Sequence, residues 1–139
     1  MYDKVANNRC AADYPFLSIE RINTKSVNTG GRLKRMIRFL KNIKADSKQK
    51  IDLSSFDINA ICYNIDIDAY KDLHYLYLVT IVFLQLHKIA YDESYANSIT
   101  SVDGKEYIFR GNNKRREVAT MLQNVSTIYS ILKEQHLII

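Results

Sequence analysis

Between Gly31 and Lys44 the chain reads Gly-Arg-Leu-Lys-Arg-Met-Ile-Arg-Phe-Leu-Lys-Asn-Ile-Lys, and this stretch constrains the whole fold. Leu33, Met36, Ile37, Leu40 and Ile43 recur at the spacing of a single apolar stripe on an α-helix. Lys34, Arg38 and Lys41 fall together on a neighbouring face, four and then three residues apart. Asn28 or Thr29 is placed to cap this helix, and Gly30-Gly31 beside the cap permits close approach of a backbone or a ligand. A helix that is oily on one side and cationic on another buries the first side and turns the second toward water or an anion.

The charge is concentrated around that helix. From Lys25 to Lys50 there are nine Lys or Arg (25, 32, 34, 35, 38, 41, 44, 48, 50) against Asp46 alone. That stretch carries about +8 while the whole chain carries +5, so the remainder is slightly acidic. Clustering of this kind points to a nucleotide, a nucleic acid or a membrane surface, with a solvated helix face as the alternative. The run Leu73 to Ala90 contains His74, Gln85, His87 and Lys88 and falls short of a bilayer span, so it predicts a buried helix. The N-terminus carries acids and no apolar stretch, so no signal peptide is expected, and the predicted location is cytoplasmic. Cys10, Cys62 and the scattered His74, His87 and His136 match no metal or redox spacing, and no metal site is expected. Cys62 is assigned to the core.

The expected fold is mainly α: a single helical domain over 1–139, a bundle of four to five helices with its helical core at 29–135. One small β-hairpin or short strand is expected near residues 101–110. One Pro and four Gly in 139 residues fit that reading. Residues 1–22 read as a ragged leader and an extended segment, because Pro15 biases Tyr14 away from the helix. Ser54-Ser55-Phe56-Asp57 is a capping box, with a Ser cap and an acid three residues on. Ile58, Ile61, Cys62 and Ile65 follow as a core stripe. A third helix is expected over about 69–91, apolar almost all round and running through the centre. The signal lapses from Asp92 to Gly111, with a turn at Asp103-Gly104 before a short strand. From Asn113 to Gln135, Val118, Met121, Leu122, Val125, Ile128, Tyr129 and Leu132 obey helical spacing.

A triphosphate is held by cations, by hydroxyls and by the free amides at a helix start. Arg38 and Lys41 supply the first, Ser55 the second and third, and Phe56 a ring on which a purine can stack. The alternative at these positions is a plain cap, a core ring and a solvated lysine.

The stretch from Asn23 to Lys41, followed by Leu53-Ser-Ser-Phe-Asp-Ile-Asn-Ala60, resembles the helical C-terminal domain of template-independent nucleotidyltransferases. That group holds oligoadenylate synthase, cyclic GMP–AMP synthase and their bacterial relatives. The resemblance covers residues 14 to 65 and the later helices in general pattern. It implies that Lys41 contacts a donor triphosphate, and that Ser55 and Phe56 stand where the family has a Ser-Tyr pair contacting phosphate and base. Phe in place of Tyr keeps the stack and loses the phenol hydrogen bond.

The family also uses a Gly-Ser loop, an Asp-x-Asp or Asp-x-Glu pair and a third acid on a sheet to hold two Mg²⁺. This chain has no Gly-Ser dipeptide, and Asp66-Ile-Asp68 follows the Ser-Phe helix and reads as a loop and cap. The resemblance therefore implies the back half of an enzyme, inactive alone and without catalytic acids of its own. Mg²⁺ with ATP or GTP is expected only beside a missing N-terminal catalytic domain. Two other functions stay open: a nucleic-acid module, RNA included, using Arg32, Lys34, Arg35 and Arg38, and a protein-interaction domain that self-associates as a homodimer through an exposed apolar patch.

Overall fold

A computed structural model describes residues 15–138. Among the described residues there are six α-helices: α1 (Pro15–Asn28), α2 (Arg32–Asp46), α3 (Ser55–Tyr63), α4 (Leu78–Tyr91), α5 (Glu93–Ser98) and α6 (Lys114–Glu134). The fold is a helical bundle. The expectations for residues 1–13 and for Cys10 lie outside the described residues.

Helix α2 is the hub, in contact with α1, α3, α4 and α6. All five members of its apolar stripe are buried, Leu33 and Leu40 completely. They meet Ile58, Ile61 and Cys62 of α3, Val82, Leu86 and Ile89 of α4, and Val118, Met121 and Val125 of α6 in one continuous core. Closing such a core removes apolar surface from water at about 25 cal/mol per Å², the main term favouring the fold.

Three regions differ from the sequence reading. The segment expected to be extended up to Ile22 is the first half of α1. Proline tolerates the first position of a helix because its missing amide would have no intrahelical partner there, so Pro15 opens a helix here rather than excluding one. The helix expected at about 69–91 is split: short 3-10 turns at Ile67–Ala69 and Tyr75–Tyr77 precede α4. His74 Nδ1 accepts the Leu76 amide at 3.2 Å and so starts the second turn. Nor is α4 enclosed on all sides, since Leu84 is 55% exposed and His87 and Lys88 face solvent. Between α4 and α6, Asp92 caps α5 by accepting the Tyr95 amide at 3.1 Å.

Where a hairpin or short strand was expected, the chain makes a single antiparallel bridge, Thr100 with Tyr107, around a turn at Gly104. The buried Ser101 hydroxyl and Asp103 carboxylate take up the turn amides of Lys105 and Glu106, work that ladder bonds would otherwise do.

The join between α1 and α2 sets the angle of the basic helix. Gly30 and Gly31 both adopt positive φ, +63° and +83°, which side chains with a Cβ rarely enter. Gly31 occupies the cap position, while the fully buried Thr29 hydroxyl accepts the Leu33 amide at 3.2 Å. The Ser26 hydroxyl accepts the Lys34 amide at 3.4 Å.

Cys62 is fully buried, and burial pushes its thiol up to about 12, with Lys25 and Lys41 opposing the shift weakly. The native thiol is therefore protonated and shielded at pH 8. In a Cys10→Ser variant, iodoacetamide should leave Cys62 unmodified over hours at pH 8 and alkylate it rapidly in urea. Comparable rates in the two conditions would contradict this burial.

Candidate functional site

The cations of α2 divide into two groups. Arg32 Nε donates to the Leu73 carbonyl at 2.7 Å and Arg32 Nη1 to the Thr29 carbonyl at 3.1 Å. The Arg32 and Arg35 guanidiniums both lie over the Tyr75 ring, 4.9 and 3.9 Å from its centroid. This pair fastens α2 to the 3-10 turn at Tyr75–Tyr77, so the expected basic face of Arg32, Lys34 and Arg35 is not one face. Lys34 instead joins Arg38 and Lys41, as helical spacing requires.

Lys34, Arg38 and Lys41 line a cleft of about 320 Å³ with Ile19, Ile22 and Asn23 of α1, Ile37 of α2 and Asn59 of α3. Among the described residues, the side chains of these three cations make no hydrogen bond or ion pair, and all three are exposed. Uncommitted like charges around one hollow repel each other, and an anion relieves that repulsion.

Lys44 and Lys25 are instead spent on structure. Lys44 Nζ donates to the Leu53 carbonyl at 2.6 Å, stapling the end of α2 to the residue before the α3 cap. Lys25 reaches from α1 to the end of α3, donating to the carbonyls of Tyr63 and Ile65. Partial burial holds its ammonium below the usual lysine range, with Asp66 pulling the other way. Lys25 thus fixes the far end of α3, and Lys44 its near end.

The start of α3 follows the capping box that the sequence predicts. Ser54 Oγ accepts the Asp57 amide at 3.2 Å, and Asp57 Oδ2 accepts the Ser54 amide at 3.0 Å. The next amide, Ile58, goes to the Ser54 carbonyl at 3.0 Å. Two donors remain: among the described residues nothing accepts from the amides of Ser55 and Phe56. The exposed Ser55 hydroxyl lies beside them. A helix start with free amides and a hydroxyl favours an anion.

The lining of the cleft that holds Lys41 does not include Ser55 or Phe56. Lys41 lines the cleft, and α3 reaches that cleft through Asn59, one turn beyond Ser55. Phe56 is half-buried with one side packed on the core, which leaves the rest of its ring at the surface. The sequence reading passed over Asn59 and Asn23. The i, i+4 relation of Asn59 to Ser55 was the available signal for the first. Asp66 caps the short turn after α3 by accepting the Asp68 amide at 3.1 Å, and Asp68 pairs with Lys71 at 3.3 Å.

No helix among the described residues is long and apolar enough to cross a membrane. A family model described as the cGAS/DncV-like nucleotidyltransferase C-terminal helical domain matches residues 20–131. The chain belongs to this family. Within this nucleotidyltransferase group, the c-di-GMP synthase of Flavobacteriaceae sp. genome_bin_11 is 46% identical over 144 residues, covering 100% of this chain and 40% of that protein. The c-di-GMP synthase of Capnocytophaga granulosa is 53% identical over 107 residues, covering 76% of this chain and 30% of that protein. The solved structure of the STING-associated CdnE c-di-GMP synthase from Capnocytophaga granulosa matches with a TM-score of 0.87 at 52% identity. That match covers 93% of this chain and 42% of the solved one. The chain therefore spans less than half the length of each of these relatives.

Proposed function

We propose that this domain supplies the triphosphate and base contacts of a cytoplasmic cyclic dinucleotide synthase, with GTP as the nucleotide. Lys41 and Arg38 neutralise the phosphates, the Ser55 hydroxyl and the two free amides bind a phosphate oxygen, and the exposed side of Phe56 stacks on guanine. The observation that carries this reading is the set of uncommitted cations, Lys34, Arg38 and Lys41, on one cleft bordered by α3. The relatives named c-di-GMP synthases supply the choice of guanine.

Among the described residues no group of three or more His, Cys, Asp or Glu side chains is arranged to hold a metal. The Mg²⁺ that accompanies GTP, and the acids of phosphoryl transfer, are assigned to a catalytic domain outside this chain on the strength of the family resemblance. A nucleic-acid module built on the whole basic helix has less support, because Arg32 and Arg35 are already held over Tyr75.

Calorimetric titration of the chain joined to its catalytic half, with Mg²⁺ present, should show GTP binding more tightly than ATP. Phe56→Ala should weaken GTP about tenfold, the low part of the ~1–3 kcal/mol range for an aromatic–base stack. Absence of heat with either nucleotide in the joined protein would refute the assignment.

A further inference from the structure

The capping box that orders α3 creates an electrostatic problem for a phosphate site. Asp57 stands at the third position of the helix, next to the free amides of Ser55 and Phe56. Its side chain is only 2% exposed, so water does little to screen the carboxylate. A phosphate approaching those amides would meet a negative charge just behind them, and like charges at such range oppose binding.

The structure places a cation at that point from the far end of the chain. Lys114 Nζ donates to Asp57 Oδ1 at 2.9 Å, across 57 residues of sequence. Lys114 is the first residue of α6, where the helix dipole disfavours a positive charge. The helix dipole therefore gives no reason for a lysine there, whereas the partner does. The Lys114 side chain stays 37% exposed, so the ammonium neutralises Asp57 while keeping contact with solvent. The backbone of Lys114 is also fixed, its amide donating to Asn112 Oδ1 at 3.0 Å.

We infer that Lys114 is a positioning and charge-balancing residue for the phosphate contact at Ser55, acting through Asp57. This rests on the nucleotide reading given above. With the ammonium in place, the capping box orders the first turn of α3 without presenting net negative charge to the ligand. Without it, the Asp57 carboxylate is uncompensated beside the free amides, and the penalty grows with the charge of the ligand.

The test uses the chain joined to its catalytic half, titrated with GTP·Mg²⁺ and separately with guanosine. Lys114→Met should weaken GTP about tenfold while guanosine changes less than about twofold, as expected for the loss of one partly screened charge. Asp57→Asn keeps the carbonyl oxygen that caps Ser54 and removes the charge. In the Lys114→Met background it should bring GTP affinity back to within about twofold of the unmutated protein. Lys114→Arg should bind GTP as the unmutated protein does, and thermal unfolding of each variant confirms that it is folded. Unchanged GTP affinity in Lys114→Met would overturn the inference and leave the nucleotide reading standing. Equal loss of GTP and guanosine with no recovery on Asp57→Asn would also overturn it, showing Lys114 to be structural only. If the unmutated protein binds no GTP, the nucleotide reading falls and this inference with it.

Discussion

Leu40→Ala should unfold this domain at much lower denaturant than the unmutated chain. Leu40 is completely buried at the middle of α2, the helix that touches α1, α3, α4 and α6. Truncation removes methyl groups from a space bounded on several sides by packed helices, so the cavity has little room to collapse. Such sites lie at the costly end of the ~2–5 kcal/mol range for Leu→Ala. A loss near 4 kcal/mol is a large part of the ~5–15 kcal/mol that holds a domain of this kind folded. It corresponds to a fall in Tm of about 10–15 °C. Leu40→Met, which conserves volume, should cost less than about 1.5 kcal/mol. Equilibrium unfolding in urea measures both. A Leu40→Ala variant within about 1 kcal/mol of the unmutated protein would show that α2 is not packed as described.

Much of this architecture was legible because α2, α3 and α6 carry long, regular apolar patterns. The stripe from Leu33 to Ile43, the box at Ser54 and Asp57, and the run from Val118 to Val125 all sit where their spacing predicts. Helix α1 was not legible for a physical reason. It is an edge helix in which, among the described residues, Ile22 is the buried apolar residue beside the polar Ser26, and its C-terminal half, Asn23 to Asn28, is a polar segment. Helix α5 is six residues long and buries only Ala96, too little to leave a periodic trace. The break before α4 depends on His74 accepting a backbone amide, which apolar periodicity does not register.

The candidate site divides along the same line. Helical spacing grouped Lys34, Arg38 and Lys41 correctly, since their relation is local. Arg32 and Arg35 looked equivalent to them in sequence, and only the fold brings Tyr75 beneath both. Lys114 could not be found from spacing at all, because its partner Asp57 lies on another helix. Local order supplied the candidate ligands; tertiary contacts decide which cations are free to use.

That distinction underlies the largest effect on binding expected from a single side chain. Lys41→Ala, in the chain joined to its catalytic half, should weaken GTP·Mg²⁺ by about 10–100-fold. Charge-assisted hydrogen bonds are worth roughly 1.5–3 kcal/mol, which converts to that range. Stability should be nearly unchanged, because Lys41 is exposed and its side chain has no hydrogen bond or ion pair among the described residues. Arg32→Ala should do the reverse, destabilising the join of α2 to the Leu73 carbonyl and Tyr75 with little direct effect on the nucleotide. Affinity comes from calorimetry and stability from urea unfolding of the same samples. A Lys41→Ala variant that keeps full affinity would show that the free ammonium is not used by the phosphates. Equal losses of affinity in Lys41→Ala and Arg32→Ala would indicate a diffuse field over the whole basic helix in place of a defined cleft.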